Sequence, residues 1–180
     1  MDEREEESAT RSRVEALIRD VPDHPAPGVV FKDISPVLAD GEVFGSVIDW
    51  LAAPYAGEVD IEAAIEARGF IFGAPVAHVL GAGFVPVRKM GKLPGVTVAQ
   101  EYALEYGRGT LEVQADALLA GHRVVIVDDV IATGGTIRAT IELVRQSHAV
   151  VVGIAALLSI EALGGTAKLA EFDRRVLVST

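Results

Sequence analysis

Two adjacent carboxylates close an oily run in Val124-Val125-Ile126-Val127-Asp128-Asp129, and the small turn Ala132-Thr133-Gly134-Gly135-Thr136 follows. Like charges side by side are unfavourable inside a strand, so a ligand is the natural reason to keep them. Four acceptor oxygens suit a vicinal diol such as the 2- and 3-hydroxyls of a ribose. In open α/β sheets ligands sit beyond the carboxyl ends of the strands, where these acids are expected if the strand ends there. Gly134 and Gly135 can expose consecutive backbone N–H groups, Thr133 and Thr136 add hydroxyls, and a helix beginning there favours an anion. Diol and phosphate together suggest a ribose 5-phosphate. Taken singly, each piece is equally consistent with a plain strand end or a plain turn.

Other nucleotide motifs fit less well. GxxxxGK[ST] does not occur, and Gly81-Ala82-Gly83 fails GxGxxG because Pro86 holds the last position. Basic groups gather in Arg88-Lys89-Met90-Gly91-Lys92, where neighbouring positive charges call for an anion. Arg68, in Glu66-Ala67-Arg68-Gly69, occupies a strand-to-helix turn; an ion pair with Glu66 is the plain alternative for it.

The elements around these residues follow from periodicity. Val59–Ile65, Gly83–Lys89, the run at Val124, the run from Ala149 and Arg174–Ser179 read as strands. Helical stripes appear at Val14/Leu17/Ile18, Phe44/Val47/Ile48/Leu51, from Arg68 to Leu80 despite Pro75, and at Ile137/Ile141/Val144, and residues 161–172 read as helical. The prolines at 22, 25, 27 and 36 make an early, stiff loop, ordered by Val29-Val30-Phe31. VTVAQEYALEY and TLEVQADAL read as two arms of an extended excursion. Strands alternating with helices, two of them apolar throughout, predict an α/β domain with a mostly parallel central sheet flanked by helices.

A chain of 180 residues without cysteine suits a single domain over 1–180. The four histidines lack metal-ligand spacing, so no protein metal site is expected. Residues 1–10 hold five acids and one arginine, which predicts a disordered acidic tail over 1–12, and no secretory signal. The longest apolar run is well short of the ~20 residues that cross a bilayer, so a cytoplasmic protein without membrane attachment is expected. A net charge of −10 argues against nucleic-acid binding. An anionic substrate would need its positive charge locally.

VVIVDDVIATGGT resembles the 5-phosphoribosyl 1-diphosphate (PRPP) signature of type I phosphoribosyltransferases. PDHPAPGVVFKDISPVL, EARGFIFGAPVA, VPVRKMGKLPG and EYALEYG resemble, in order, further segments of the adenine branch, so the likeness runs from about Val14 to the last strand. It implies the fold of that family, with a small hood and a flexible hairpin-like loop. It implies transfer of 5-phosphoribosyl from PRPP to N9 of adenine, giving AMP and pyrophosphate, in purine salvage by a homodimer. Mg²⁺ would accompany the substrate diphosphate. By the same resemblance Asp128 and Asp129 hold the ribose, and Ala132, Thr133, Gly134, Gly135 and Thr136 the 5-phosphate. Arg68, Arg88, Lys89 and Lys92 meet pyrophosphate, with Arg88 serving the neighbouring subunit. Glu105 faces N7 of the purine and, with Tyr106, forms the catalytic part of the closing loop. Val30 and Lys32 read the adenine edge through the backbone while Phe31 and Ile160 enclose the ring; core packing explains the last two equally well. Lys32 stands where arginine is common, and Met90 interrupts the basic loop. Another purine base, or a PRPP-sensing regulator that binds nucleic acid, are the remaining readings.

Overall fold

The computed structural model describes residues 3–103 and 107–180. The chain divides into two compact units, Met1–Trp50 and Leu51–Thr180.

In the first unit, α1 (Glu3–Leu17) covers most of the segment expected to be an irregular tail. Acidic residues do not prevent this. Glu, Ala and Arg are good helix formers, acids favour a helix N-terminus, and Arg11 pairs with Glu7 one turn back at 2.7 Å. Val14 is fully buried and anchors the helix. Strands β1 (Arg19–Val21) and β2 (Phe31–Asp33) form an antiparallel pair, so the early loop is shorter than its prolines suggest. Arg19 clamps Asp33 across the pair at 2.6 Å. Helices α2 (Ser35–Ala39) and α3 (Gly41–Ala52) follow.

The second unit carries a seven-stranded sheet, with α4 (Gly69–Leu80) and α5 (Gly135–Gln146) packed on it. Its strands are β3 (Ile61–Ile65), β4 (Gly83–Lys89), β5 (Thr97–Ala103), β6 (Arg108–Gln114), β7 (Arg123–Ile131), β8 (Val150–Ser159) and β9 (Arg174–Ser179), in the order β5-β6-β4-β3-β7-β8-β9. The ladder from β4 through β9 is parallel throughout; β6 and β5 add antiparallel strands at one edge. The two arms of the excursion are therefore a hairpin joined to the sheet. Ile126, Ile137, Ile141 and Ile154 are fully buried within one apolar cluster. Residues 161–172 are not one helix but a 3-10 turn (Glu161–Leu163) and the short α6 (Gly165–Lys168), because Gly164 takes a left-handed conformation between them.

One register decides the shape of the site. Arg123 fastens the start of β7 to Asp60 just before β3, through its backbone N–H (2.8 Å) and its guanidinium (2.9 Å). Those hydrogen bonds hold the Asp60 carboxyl down at about 2. From there β3 pairs with β7 only as far as Ala64 and Val127, whereas β8 pairs with β7 on to Ile131 and Ser159. Asp128 and Asp129 thus lie inside a continuing strand, not at its end. The strand is open at that height only on the β3 side, which still lets both acids serve one space. Among the described residues no helix is long and apolar enough to cross a membrane.

Candidate active site

A cavity of about 400 Å³ opens above the place where β3 stops, lined by Glu66, Ala67, Arg68, Asp128, Asp129 and residues 132–136. Asp128 and Asp129 are nearly buried. The Asp129 N–H donates to Asp128 Oδ1 at 3.0 Å, turning the first carboxyl back on the backbone. Asp129 Oδ2 meets Arg68 Nη2 at 2.6 Å. Burial raises both carboxyls above the usual range. The neighbouring Asp129 charge raises Asp128 further, and the Arg68 guanidinium counteracts burial at Asp129. Arg68 is therefore tied to Asp129 rather than to Glu66. Gly69 packs tightly beneath this pair, where an added Cβ would stand 3.0 Å from Asp128 Oδ1 and 3.2 Å from the Val127 carbonyl.

Residues 132–136 lead from β7 into α5. Gly134 caps the helix with φ +76°, a conformation that disfavours any side chain. Its other constraint comes from Gly165 of α6, where an added Cβ would collide with the Ala132 carbonyl and lie 2.8 Å from Gly134 N. Lys168 Nζ donates to the Thr133 carbonyl at 3.1 Å. The loop is held from outside by an element whose sequence carries no phosphate signature. Helix-end amides, two threonine hydroxyls and a lysine nearby make an anion seat.

The basic loop is organised by two carboxylates. Nearly buried Glu66 accepts from Lys89 N at 3.0 Å, from Arg88 Nε at 3.4 Å, and from Lys92 Nζ. Burial pushes the Glu66 carboxyl up, but these donors outweigh it and hold it at about 2. Arg88 Nη1 also donates to the Lys92 carbonyl at 3.2 Å. The anion that the clustered charges call for is, in the free chain, partly its own. On β6, Glu112 accepts the N–H groups of Gly91, Lys92 and Leu93. The sequence offered Glu66 only as a partner for Arg68 and did not single out Glu112, because both sets of contacts join segments separate along the chain. The Glu66–Ala67 peptide is cis.

Tyr102 of β5 lines this cavity and a second one of about 420 Å³, shared with Arg138, Glu142, Lys168 and the Thr133–Gly135 turn. It too was missed; an alternating strand gives no sign of which side chain will face a cavity. Ile160 follows β8, its N–H bonded to the Ile131 carbonyl at 2.9 Å, with Glu161 beside it held by Ser159 Oγ and Thr166 Oγ1. Val30, Phe31 and Lys32 belong to the first unit. There Phe31 packs edge-on against His24 at 5.1 Å, and Lys32 pairs with Asp20 at 2.8 Å. Glu105 and Tyr106 lie outside the described residues; the strands β5 and β6 flank them in sequence. Asp128, Asp129, Arg68 and the 132–136 loop thus meet around one cavity.

Residues 44–176 match the Phosphoribosyl transferase domain family. The chain is 53% identical over 167 residues to adenine phosphoribosyltransferase of Thermobifida fusca, covering 92% of this chain and 95% of the relative. It is similar to the crystal structure of adenine phosphoribosyltransferase from Thermoanaerobacter pseudethanolicus, with TM-score 0.91 and 48% identity over 94% of this chain and 99% of that one. The Trypanosoma brucei enzyme, solved in complex with AMP, pyrophosphate and ribose-5-phosphate, gives TM-score 0.86 and 27% identity over 94% of this chain and 79% of that one. A carboxylate pair, a glycine-opened helix start and an arginine on one cavity agree with these likenesses: the chain belongs to the adenine phosphoribosyltransferases of the phosphoribosyl transferase domain family.

Proposed function

We propose that the chain binds PRPP in the cavity at Asp128 and Asp129 and transfers its 5-phosphoribosyl group to N9 of adenine, giving AMP and pyrophosphate for purine salvage. The observation that carries this reading is the meeting of three subsites on one cavity of about 400 Å³: the acid pair, the 132–136 turn and Arg68. In the reaction the C1′–O bond to the diphosphate breaks, the C1′–N9 bond forms, and the N9 proton is released. Asp128 and Asp129 accept from the ribose hydroxyls, residues 132–136 seat the 5-phosphate, and Arg68, Arg88, Lys89 and Lys92 receive the leaving pyrophosphate. The ligands named for the Trypanosoma brucei structure are the products of such a reaction and one fragment of it. Glu105 and Tyr106 are assigned by motif to the closing hairpin, where a carboxyl at N7 shares a proton as the base gains its bond. Val30, Phe31, Lys32 and Ile160 are assigned to adenine.

Mg²⁺ fits this site as the companion of the diphosphate. It keeps most of its waters and uses one or two carboxylates with substrate phosphates, and Asp128, Asp129 and Glu66 line the cavity. Among the described residues no cluster of three ligating side chains offers a separate metal seat. Bound there, Mg²⁺ would neutralise charge on the leaving diphosphate. The expected setting is a cytoplasmic homodimer in which Arg88 serves the neighbour's site.

The test is incubation with PRPP, Mg²⁺ and each purine base in turn, with identification of the nucleotide. AMP from adenine alone is expected. IMP or GMP as the main product would move the assignment to another purine, and no nucleotide from any base would end it.

A further inference from the structure

We propose that Glu112 is the positioning residue of the basic loop, and the link through which the β5–β6 hairpin sets that loop; the proposal rests on reading the loop as pyrophosphate-binding.

Glu112 stands on β6, opposite Arg88 on one side and Ala99 on the other, and is 4% exposed. A carboxylate so placed must be met by donors. Its Oε1 accepts from Gly91 N at 2.9 Å, Lys92 N at 3.1 Å and Leu93 N at 3.1 Å, and its Oε2 accepts from Thr97 Oγ1 at 3.1 Å. Three consecutive amides converging on one oxygen make an anion nest, and the anion seated in it belongs to the chain. Burial pushes the carboxyl up; the four hydrogen bonds outweigh it and lower it.

Two acids therefore divide the loop between them. Glu66 meets its charges, the Lys92 ammonium and the Arg88 guanidinium, which a diphosphate can take over. Glu112 meets its backbone, whose amides are thereby occupied and cannot turn to a phosphate. One fixes where the cations start; the other fixes the frame they move on.

The link to the hairpin follows from topology. Strand β6 joins β4 through only two residue pairs, Arg88↔Glu112 and Lys89↔Leu111, with Met90 N bonded to the Thr110 carbonyl at 3.0 Å just beyond. The side chain of Glu112 thus supplies three of the contacts that hold β6 to the loop after β4. Strand β6 begins at Arg108, two residues past Tyr106. A shift of β6 is therefore passed to residues 91–93 through this carboxylate, beside the Met90–Thr110 hydrogen bond.

The experiment compares the full chain with Glu112→Ala, Glu112→Gln and Thr97→Val. Its readouts are amide hydrogen exchange of residues 90–96 without substrates, calorimetric binding of inorganic pyrophosphate, and KM for PRPP and for adenine. For Glu112→Ala, exchange should rise and both the pyrophosphate Kd and the PRPP KM should increase about tenfold, with adenine KM within about twofold. Glu112→Gln keeps an oxygen for the three amides and should return both constants to within about threefold of the parent. Unchanged loop exchange in Glu112→Ala would overturn the proposal, as would unchanged pyrophosphate and PRPP constants. So would a parallel loss of adenine affinity, which marks general destabilisation. Should Glu112→Ala fail to fold by circular dichroism, Thr97→Val removes only the Oε2 donor; a smaller rise in the same two constants is expected, and no rise overturns the proposal. If the parent chain makes no nucleotide, the reaction assignment fails, while loop exchange and pyrophosphate binding still decide the role of Glu112.

Discussion

At the scale of single residues, the site works by placing charges where water cannot relax around them. Asp129 illustrates the point: burial raises its carboxyl, and the 2.6 Å contact with Arg68 supplies the compensating charge. Removing it takes away the proposed ribose acceptor and also the anion paired with Arg68. Asp129→Ala should therefore raise the PRPP KM by about ten- to a hundredfold, as loss of a charged hydrogen bond would, with a smaller change in kcat. Glu105→Ala should do the reverse, lowering kcat by about 10²- to 10⁴-fold with PRPP affinity nearly kept. Steady-state kinetics of both variants check this, and small equal effects on every parameter would refute the two roles. The acid pair and the glycine turn were legible in the sequence because their chemistry is contiguous. Glu112 was not, because an acid in an alternating strand looks solvated until the neighbouring segment brings amides to it, and Glu66 was paired in the sequence with the wrong cation.

At the scale of elements, the 132–136 turn, proposed above as the phosphate seat, is held in shape by a segment that carries no ligand motif. Gly165 lies against the Ala132 carbonyl and Gly134 N so closely that a methyl group cannot be added without moving the turn. Gly165→Ala should raise the PRPP KM about tenfold and cost about 1–3 kcal/mol of stability, as overpacking does. Kinetics and thermal melting measure the two effects; an unaltered KM with a lowered melting point would show that the turn tolerates the shift. Strand β4 runs from Gly83 to Lys89 as its composition predicts, and α4 spans Pro75 as expected. The elements that differ from the periodicity reading have separate causes. Local charge pairing and helix propensity build the start of the chain, the left-handed Gly164 breaks 161–172, and pairing with β8 carries β7 past its acids. Hydrophobic periodicity registers neither capping nor pairing, so it passes over all three.

At the scale of the whole molecule, one buried acid takes no part in the chemistry. Glu62 of β3 is fully buried, and among the described residues neither carboxyl oxygen has a hydrogen-bond partner. The room for it comes from Gly73 of α4, where a Cβ would stand 2.6 Å from Oε1. Burial raises its carboxyl well above 4.5, so the folded state holds a proton that the unfolded chain releases. Its contribution is most favourable below the unfolded value and is lost as pH rises above it towards the raised folded one. Glu62→Met, unbranched and of similar size, should stabilise the chain by about 1–3 kcal/mol, with a larger gain near pH 8 than near pH 5. Urea unfolding at the two pH values tests it, and an equal gain at both would show that the proton is not the cause. The site itself owes its volume to a mismatch of strand lengths. Because β3 leaves β7 after Ala64↔Val127 while β8 accompanies it to Ile131, a notch opens in the sheet. Its depth is fixed by how many rungs β3 omits, so lengthening β3 by a single pair of residues would fill the notch with backbone, leaving every proposed ligand-binding side chain in the sequence yet no room for the ribose assigned to it.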